Sequence, residues 1–345
     1  MMAGCLNSRF GQTITLAQNL AQTLKQIQST ILLAIVLDSS SHRSSCSHPS
    51  LARLSFCRFL FCGVIALHCT GRTSASMADP EDVLADSLET FYDYVPVALS
   101  SSGSTFTYSS PLLSDMITLT TPDTQAANWS LHATSIWRSS IYIADHLADL
   151  ELDRHIGRAR SQDRPLTLLE LGAGAGLPSI MIAKTCKDVL VTASDYPDER
   201  LISTLSENVK RNEVSDRCRV VPYNWGSDPT QLLSQTSGGF DIVLAADTLW
   251  NLDLHAIFVD TLQRTLRPSP DARVYIVAGL HTGRYVINSF LRRMRDAKFV
   301  AESLVERSVS ESSNDRTWSV EHADEEDEQE RRRWVVWMIF KWADC

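Results

Sequence analysis

Short apolar runs alternate with segments of helical length between residues 166 and 279. The runs lie at 166–171, 189–193, 219–223, 240–246 and 273–279. Amphipathic segments such as 198–212 and 252–266 lie between them and predict helices. Strands that are buried on both faces read as continuous apolar runs, and helical crossovers join parallel neighbours. The pattern therefore predicts a Rossmann-like, doubly wound α/β fold with a mostly parallel sheet.

The alternation stops near the end of the chain. Two strand-like runs, 299–309 and 334–342, are separated by a polar and strongly acidic stretch at about 310–330. Two strands joined by a loop pair in antiparallel fashion. We therefore expect a C-terminal hairpin that completes a seven-stranded sheet, and the long connector predicts a disordered insertion.

A further helical pattern precedes the first run, from residue 126 to about residue 150. Its apolar positions include Trp129, Ile136, Trp137, Ile141, Ile143, Ala144 and Leu147. This spacing predicts one helix with a buried face.

The first 76 residues differ in composition from the rest of the chain. They carry six Lys and Arg against one acid, a balance of +5, and five of the eight cysteines. Apolar stretches at 31–37 and 59–67 are shorter than the roughly 18 to 20 residues of a membrane span and begin too late for a secretory signal. We expect 1–76 to be a disordered extension, with Met77 as a candidate start and a folded domain over 77–345. The low acid content is also typical of a mitochondrial transit peptide.

The net charge indicates the kind of partner, and the cysteine content indicates the cellular location. The chain has a net charge of −9, so the residues after 76 carry −14. This charge counts against nucleic acid as a partner and favours a basic one. Three cysteines after residue 76 are typical of a reduced, intracellular protein, and we expect a cytoplasmic location. Cys57, Cys62 and Cys69 match no common zinc spacing, so no metal is predicted.

A glycine-rich turn follows the first predicted strand, with the sequence Glu-Leu-Gly-Ala-Gly-Ala-Gly-Leu-Pro from Glu170 to Pro178. Ligands bind at such strand-to-helix turns in doubly wound folds, and glycine lets the backbone approach them closely. Asp195, at the end of the next strand, is placed to accept hydrogen bonds from ribose hydroxyls. The alternative is a tight turn that binds nothing.

The glycine spacing distinguishes two classes of nucleotide ligand. A dinucleotide site has Gly-x-Gly-x-x-Gly before a helix that faces the pyrophosphate. This chain instead has Gly-x-Gly-x-Gly followed by Leu-Pro, and its predicted terminal hairpin is foreign to dinucleotide folds. Both features favour S-adenosylmethionine, which has no phosphate.

Several motifs together resemble one known family. They are the turn 170–178, Ser194-Asp-Tyr-Pro197, Asn224-Trp-Gly226, the run 241–247 and the Ile136-Trp137 pair. The chain resembles the fungal family-16 seven-strand methyltransferases over residues 84–342, and especially their nicotinamide N-methyltransferase-like group. That group includes protein N-terminal and lysine methyltransferases acting on translation elongation factor 1-alpha. The resemblance implies S-adenosylmethionine as cofactor, a protein acceptor such as this factor, and a monomer.

The resemblance also implies roles for individual residues. The ribose and methionine parts of the cofactor would contact Gly172, Ala173, Gly174 and Asp195. Trp225 would pack beside the adenine, Ala246 would contact the cofactor through its backbone, and Trp137 would close the pocket from the preceding helix. Ordinary core packing is the alternative for both tryptophans.

Asp247 follows the fourth strand, where the transferred methyl group would emerge. Methyl transfer to nitrogen is an in-line displacement at a sulfonium, so alignment and charge placement are the main tasks of the enzyme. A lysine amine must also lose its proton first, at a cost of roughly 4 kcal/mol near neutral pH. Asp247 is the candidate catalytic residue that positions the amine. Its alternative is a capping or supporting carboxylate.

Three further alternatives stay open. Many relatives carry His-His-Arg-Pro after the fifth strand, whereas this chain has Leu-His-Thr-Gly-Arg at 280–284, so His281 is either a general base or a loop histidine. The charged stretch from Asp324 to Arg333 is either a solvated loop or a docking site for a basic partner. The acceptor is a protein amine or a small nicotinamide-like heterocycle, and a non-enzymatic adenosyl-binding scaffold is the third reading.

Overall fold

The computed structural model describes residues 95–310 and 315–343. The predictions for 1–76 and for Met77 as a start lie outside the described residues. The strands are β1 (Ala98–Leu99), β2 (Thr105–Tyr108), β3 (Ile117–Thr120), β4 (Ile136–Trp137), β5 (Leu166–Leu171), β6 (Val189–Asp195), β7 (Cys218–Pro222), β8 (Ile242–Ala246), β9 (Arg273–Gly279), β10 (Phe299–Ser308), β11 (Arg316–Thr317) and β12 (Trp334–Trp342). The α-helices are α1 (Arg138–Asp145), α2 (Leu152–Arg160), α3 (Leu177–Thr185), α4 (Glu199–Arg211), α5 (Thr230–Leu233), α6 (His255–Thr265), α7 (Arg284–Asp296) and α8 (Glu328–Arg332). Short 3₁₀ helices span Ala126–Leu131, Leu147–Leu150, Leu252–Leu254, Leu280–Thr282 and Glu321–Asp324.

The five predicted apolar runs form the parallel part of an eight-stranded sheet, in the order β9-β8-β5-β6-β7. β5 lies between β6 and β8, where Leu168 is opposite both Val191 and Ile242. Leu168 and its neighbour Leu169 belong to different core clusters, and both are fully buried. The continuous apolar runs are explained by this burial on both faces. The predicted mostly parallel α/β sheet is confirmed.

The sheet ends in the antiparallel hairpin predicted from the sequence. β12 pairs with β10, with Phe299 opposite Trp342 and Ser308 opposite Trp334, and it also pairs antiparallel with β9. β12 therefore lies between β10, the other strand of the hairpin, and β9, the last parallel strand.

The connector between β10 and β12 is folded over 315–333, so the prediction of a disordered insertion is wrong there. It forms β11, which pairs with β10, then a 3₁₀ helix and α8. The guanidinium of Arg284, fully buried at the start of α7, donates from Nη2 to Glu306 at 2.8 Å and from Nε to Glu326 at 2.7 Å. A buried charge is costly without such partners. Arg284 therefore fixes the connector, which supplies Glu326.

The prediction of one helix over 126–150 is also wrong. His132 ends the first 3₁₀ helix with a left-handed φ of 53°, and Trp137 is extended because it pairs with Ala98 in β1. Trp129, predicted on the buried face, is 65% exposed. The helical spacing of apolar residues runs through Trp137, although the pairing of Trp137 with β1 interrupts the helix there.

The helices after β6 and β8 lie where the sequence predicts them. α4 begins after Asp198, whose carboxylate accepts hydrogen bonds from the first turn of the helix. Within the described ranges, every helix is too short or too polar to cross a bilayer.

Candidate active site

A cavity opens at the carboxyl ends of β5, β6 and β8, where doubly wound folds bind their ligands. It is lined by all the residues predicted for the site: Trp137, Gly172, Ala173, Gly174, Asp195, Trp225, Ala246 and Asp247. Residues that were not predicted complete the lining, including Leu131, His132, Ala133, Tyr196, Trp250 and Ile257. Trp250 follows a strand end and was within reach of sequence reasoning. The 131–133 segment carries no motif.

The turn between β5 and α3 brings backbone to the edge of the cavity. Gly172 has a φ of 73°, and a Cβ there would lie 3.0 Å from the Cγ2 atom of Thr248 and 3.5 Å from the Trp225 ring. Gly174 has a φ of 55°, and a Cβ there would meet nothing within 4 Å. Glycine adopts this left-handed conformation without the steric penalty of other residues. The close approach of backbone to the cavity therefore depends on these glycines.

Two buried carboxylates belong to this part of the cavity. Asp195 accepts hydrogen bonds from the backbone N–H groups of Gly174 and Tyr196, both at 2.7 Å. Burial raises the pKa of Asp195 to about 6, although these two donors oppose the effect. Glu170 accepts a hydrogen bond from the backbone N–H of Ser179 at 3.0 Å, and burial raises its pKa to about 8. Glu170 begins the glycine-rich motif, and the sequence predicts no role for it.

Asp247 connects three segments around the cavity. One carboxylate oxygen accepts a hydrogen bond from the backbone N–H of Gly279 at 2.6 Å, and the other accepts one from Ser139 at 3.3 Å. Its own N–H donates to the carbonyl of Val277, and its φ is 52°. Asp247 thus makes the contacts expected of a supporting carboxylate, and it also lines the cavity.

The two predicted tryptophans differ in their surroundings. Trp225 packs against Phe258, with ring centroids 4.5 Å apart, and lies close to Gly172. Trp137 lies in β4 at the start of α1, not on a preceding helix, which corrects that part of the prediction. Both rings line the cavity and are partly buried, so packing and ligand contact are compatible for each.

A group of aromatic rings surrounds Trp137. His281 stacks on it at 5.5 Å with nearly parallel planes, and His132 meets it edge to face at 6.2 Å. The Trp137 Nε1–H also donates to the carbonyl of His132 at 2.7 Å. His132 contacts Trp250 on another side at 4.9 Å. His281 is not among the described residues that line the cavity, but its ring stacks on Trp137, which is.

The charges of the lining restrict the ligand. The described lining holds three carboxylic acids, Glu170, Asp195 and Asp247. It also holds one histidine, His132, and two tyrosines, Tyr196 and Tyr223, but no Lys or Arg. Phosphate groups are commonly bound by cationic side chains, and carboxylates repel them. A sulfonium cation with a ribose fits, because carboxylates attract the cation and accept hydrogen bonds from hydroxyls.

Comparison with known proteins adds the family. A model described as lysine methyltransferase matches residues 122–297. A protein N-terminal and lysine N-methyltransferase of Schizosaccharomyces pombe is 34% identical over 152 residues, 43% of this chain and 56% of that protein. Proteins of the same name from Neurospora crassa and Yarrowia lipolytica are 29% and 28% identical, over 43% and 53% of this chain and 53% and 73% of theirs. The chain spans about half the length of the first two relatives.

Proposed function

The chain belongs to the lysine methyltransferase family, and from that premise we propose that it transfers the methyl group of S-adenosylmethionine to an amine of a protein. The observation that carries the proposal is the cavity at the strand ends, whose described lining holds three acids and no Lys or Arg. Such a site attracts a sulfonium donor and also a cationic amine acceptor.

In the proposed complex, the residues of the cavity divide between the parts of the cofactor. Asp195 accepts hydrogen bonds from the ribose hydroxyls, and the backbone of the turn at Gly172, Ala173 and Gly174 lies along the methionine part. Trp225 packs beside the adenine, Ala246 contacts the cofactor through its backbone, and Trp137 closes the pocket.

We assign Asp247 to the acceptor. Each of its oxygens has one backbone donor, and a carboxylate oxygen accepts more than one hydrogen bond, so capacity remains for an amine. The amine first loses its proton to solvent. Its lone pair then attacks the methyl carbon as the carbon–sulfur bond breaks and the electron pair of that bond passes to sulfur. Asp247 aligns the nitrogen for this in-line step.

We further infer that the acceptor is translation elongation factor 1-alpha and that the enzyme acts as a cytoplasmic monomer, with its methyltransferase domain within 77–345. The resemblance of the sequence motifs and the charge of −14 after residue 76 support a protein acceptor with basic surroundings. Three relatives are named as protein N-terminal and lysine methyltransferases.

The test uses the full chain with methyl-labelled S-adenosylmethionine. One reaction contains purified elongation factor, a second contains fungal lysate, and a third contains that lysate stripped of macromolecules. Label in protein, lost in an Asp195→Ala variant, supports the proposal. Label only in small molecules refutes protein methylation and favours a heterocycle as acceptor.

A further inference from the structure

One wall of the cavity is formed by a segment with little packing of its own. Leu131, His132 and Ala133 line the cavity. They belong to or follow the 3₁₀ helix Ala126–Leu131, each residue of which is at least partly exposed, with Trp129 at 65%. Apolar burial supplies most of the free energy that fixes a segment in a fold. This wall therefore depends on other contacts for its position.

Asp198 supplies two such contacts. Its carboxylate is buried, and Oδ2 accepts hydrogen bonds from the Gln125 backbone N–H at 3.1 Å and from Asn128 Nδ2 at 2.7 Å. Oδ1 accepts from the backbone N–H groups of Arg200 and Leu201 at 2.9 and 3.1 Å and so caps α4. One oxygen serves the helix, and the other serves the start of the wall.

The charge of Asp198 suits this double role. Burial acts to raise the pKa of its carboxyl, but the four hydrogen bonds outweigh burial and lower the pKa below its ordinary value. The group is therefore ionised at neutral pH, and hydrogen bonds to an ionised acceptor are stronger than those between neutral groups.

Asp198 is also close in the chain to the proposed ribose ligand. Its N–H donates to the carbonyl of Tyr196 at 2.7 Å, and both Tyr196 and Asp195 line the cavity. The stretch 195–198 thus carries one carboxylate that faces the cavity and another that holds the segment forming its wall.

The far end of the wall has separate anchors. The His132 carbonyl accepts a hydrogen bond from Trp137, whose backbone pairs with Ala98 in β1. Loss of the Asp198 contacts would therefore release the start of the segment and leave Trp137 in place.

We propose that Asp198 is a positioning residue that holds the segment 125–133 against bound S-adenosylmethionine through Gln125 and Asn128. Asp198 does not contact the cofactor in this proposal and affects its binding only through the position of the segment 125–133. The inference rests on the proposed function, because it takes the cavity as the cofactor site.

The first variant is Asp198→Asn in the full chain. Asparagine is as good a helix cap as aspartate, so its side-chain oxygen can still cap α4. Its NH2 group would stand in place of Oδ2 and would face the two donors of Gln125 and Asn128. We expect an unfolding temperature close to wild type, an affinity for S-adenosylmethionine about tenfold lower by calorimetry, and faster backbone amide exchange over 126–133 by mass spectrometry.

The second variant tests the contact itself. Asn128→Asp places two carboxylates together and should weaken binding in the same way. The double variant Asp198→Asn/Asn128→Asp reverses donor and acceptor across the pair, so affinity and protection of 126–133 should partly recover. A role limited to capping α4 predicts no recovery, because Asn128 donates to Oδ2 of Asp198, whereas the first turn of α4 donates to Oδ1. Asp327→Asn is the matched control, since Asp327 caps α8 by accepting from Glu330.

Unchanged affinity and exchange in Asp198→Asn would overturn the inference, as would a double variant no better than the single ones. Failure of the proposed function is a different result: wild-type protein that does not bind S-adenosylmethionine. In that case the exchange measurement alone decides whether Asp198 positions the segment.

Discussion

Asp195 and Gly174 are joined by a hydrogen bond of 2.7 Å from the backbone N–H of the glycine to a carboxylate oxygen. The bond links the end of β6 to the turn after β5, so the carboxylate and the glycine backbone occupy one side of the same cavity. Substitutions at its two ends therefore test the proposed cofactor site from two directions.

Asp195→Asn keeps the shape of the side chain and removes its charge. We expect the affinity for S-adenosylmethionine to fall by about 10- to 100-fold, because hydrogen bonds to charged groups contribute about 1.5–3 kcal/mol. Calorimetry measures the change. Asp188→Asn, at an exposed carboxylate paired with Arg160, should bind as wild type. Equal affinity in both variants would remove Asp195 from the site.

Gly174→Trp places a large side chain where a Cβ has open space. The left-handed φ should cost about 1–2 kcal/mol of stability, and the indole should block the cavity so that cofactor binding is lost. Thermal unfolding and calorimetry separate the two effects. Gly157→Ala, in the middle of α2 with open space at its Cβ, is the control and should bind normally. Normal binding by Gly174→Trp would contradict the assigned pocket.

Asp247→Asn tests the proposed acceptor role. Asparagine tolerates the left-handed backbone of this position, and its oxygen still accepts from Gly279. We expect kcat to fall about a hundredfold through misalignment of the amine, with the affinity for S-adenosylmethionine little changed. Steady-state kinetics with calorimetry measures both. An unaltered kcat would leave Asp247 with a supporting role only.

The raised pKa of Asp195 predicts a pH dependence of cofactor binding. Because the pKa lies at about 6, the carboxylate is charged above pH 6 and is protonated progressively below it. Binding that needs the charged form is complete near pH 8 and weakens towards pH 5, approaching about tenfold per unit below the pKa. Calorimetry from pH 5 to 8 tests this, with folding checked by circular dichroism. In Asp195→Asn the affinity should depend little on pH. If the variant shows the same pH dependence as wild type, another group is responsible for it.

Glu306→Gln tests the buried ion pair that fixes the connector. Glu306 is fully buried and contacts Arg284 and Arg316. Breaking a buried pair from one side costs about 3–5 kcal/mol, which denaturant unfolding would detect. Arg154→Met, which removes an exposed pair with Glu151, should change stability by less than about 1 kcal/mol. A similar small loss for Glu306→Gln would show that the connector is fixed by other contacts.

The central sheet was predictable because its signal is local. The runs at 166–171 and 273–279 coincide with β5 and β9, since strands buried on both faces contain little except apolar residues. The same holds for α4, whose start at Asp198 is a helix-capping signal.

The wrong predictions share a physical cause, which is dependence on contacts between distant residues. The pairing of Trp137 with Ala98 breaks the predicted helix over 126–150. Arg284 orders the connector through Glu306 and Glu326, which lie 22 and 42 residues away. Neither contact has a local sequence signature.

The candidate site was predictable in part. The glycine turn and Asp195 carry motifs whose chemistry can be read directly, and they lie together as expected. The wall at 131–133 could not be predicted, because it carries no motif and the residues before it, Gln125 and Asn128, contact Asp198 at separations of 73 and 70 residues. Motifs thus identified the strand ends of the cavity and missed the segment that encloses it.

The described lining of the cavity holds acids and no Lys or Arg, which has a consequence for turnover under the proposed function. Attraction to carboxylates depends on the positive sulfur of the donor, and that charge disappears when the methyl group leaves. The neutral thioether product should then bind less tightly than the sulfonium donor. The same carboxylates would therefore favour binding of the donor and release of the product.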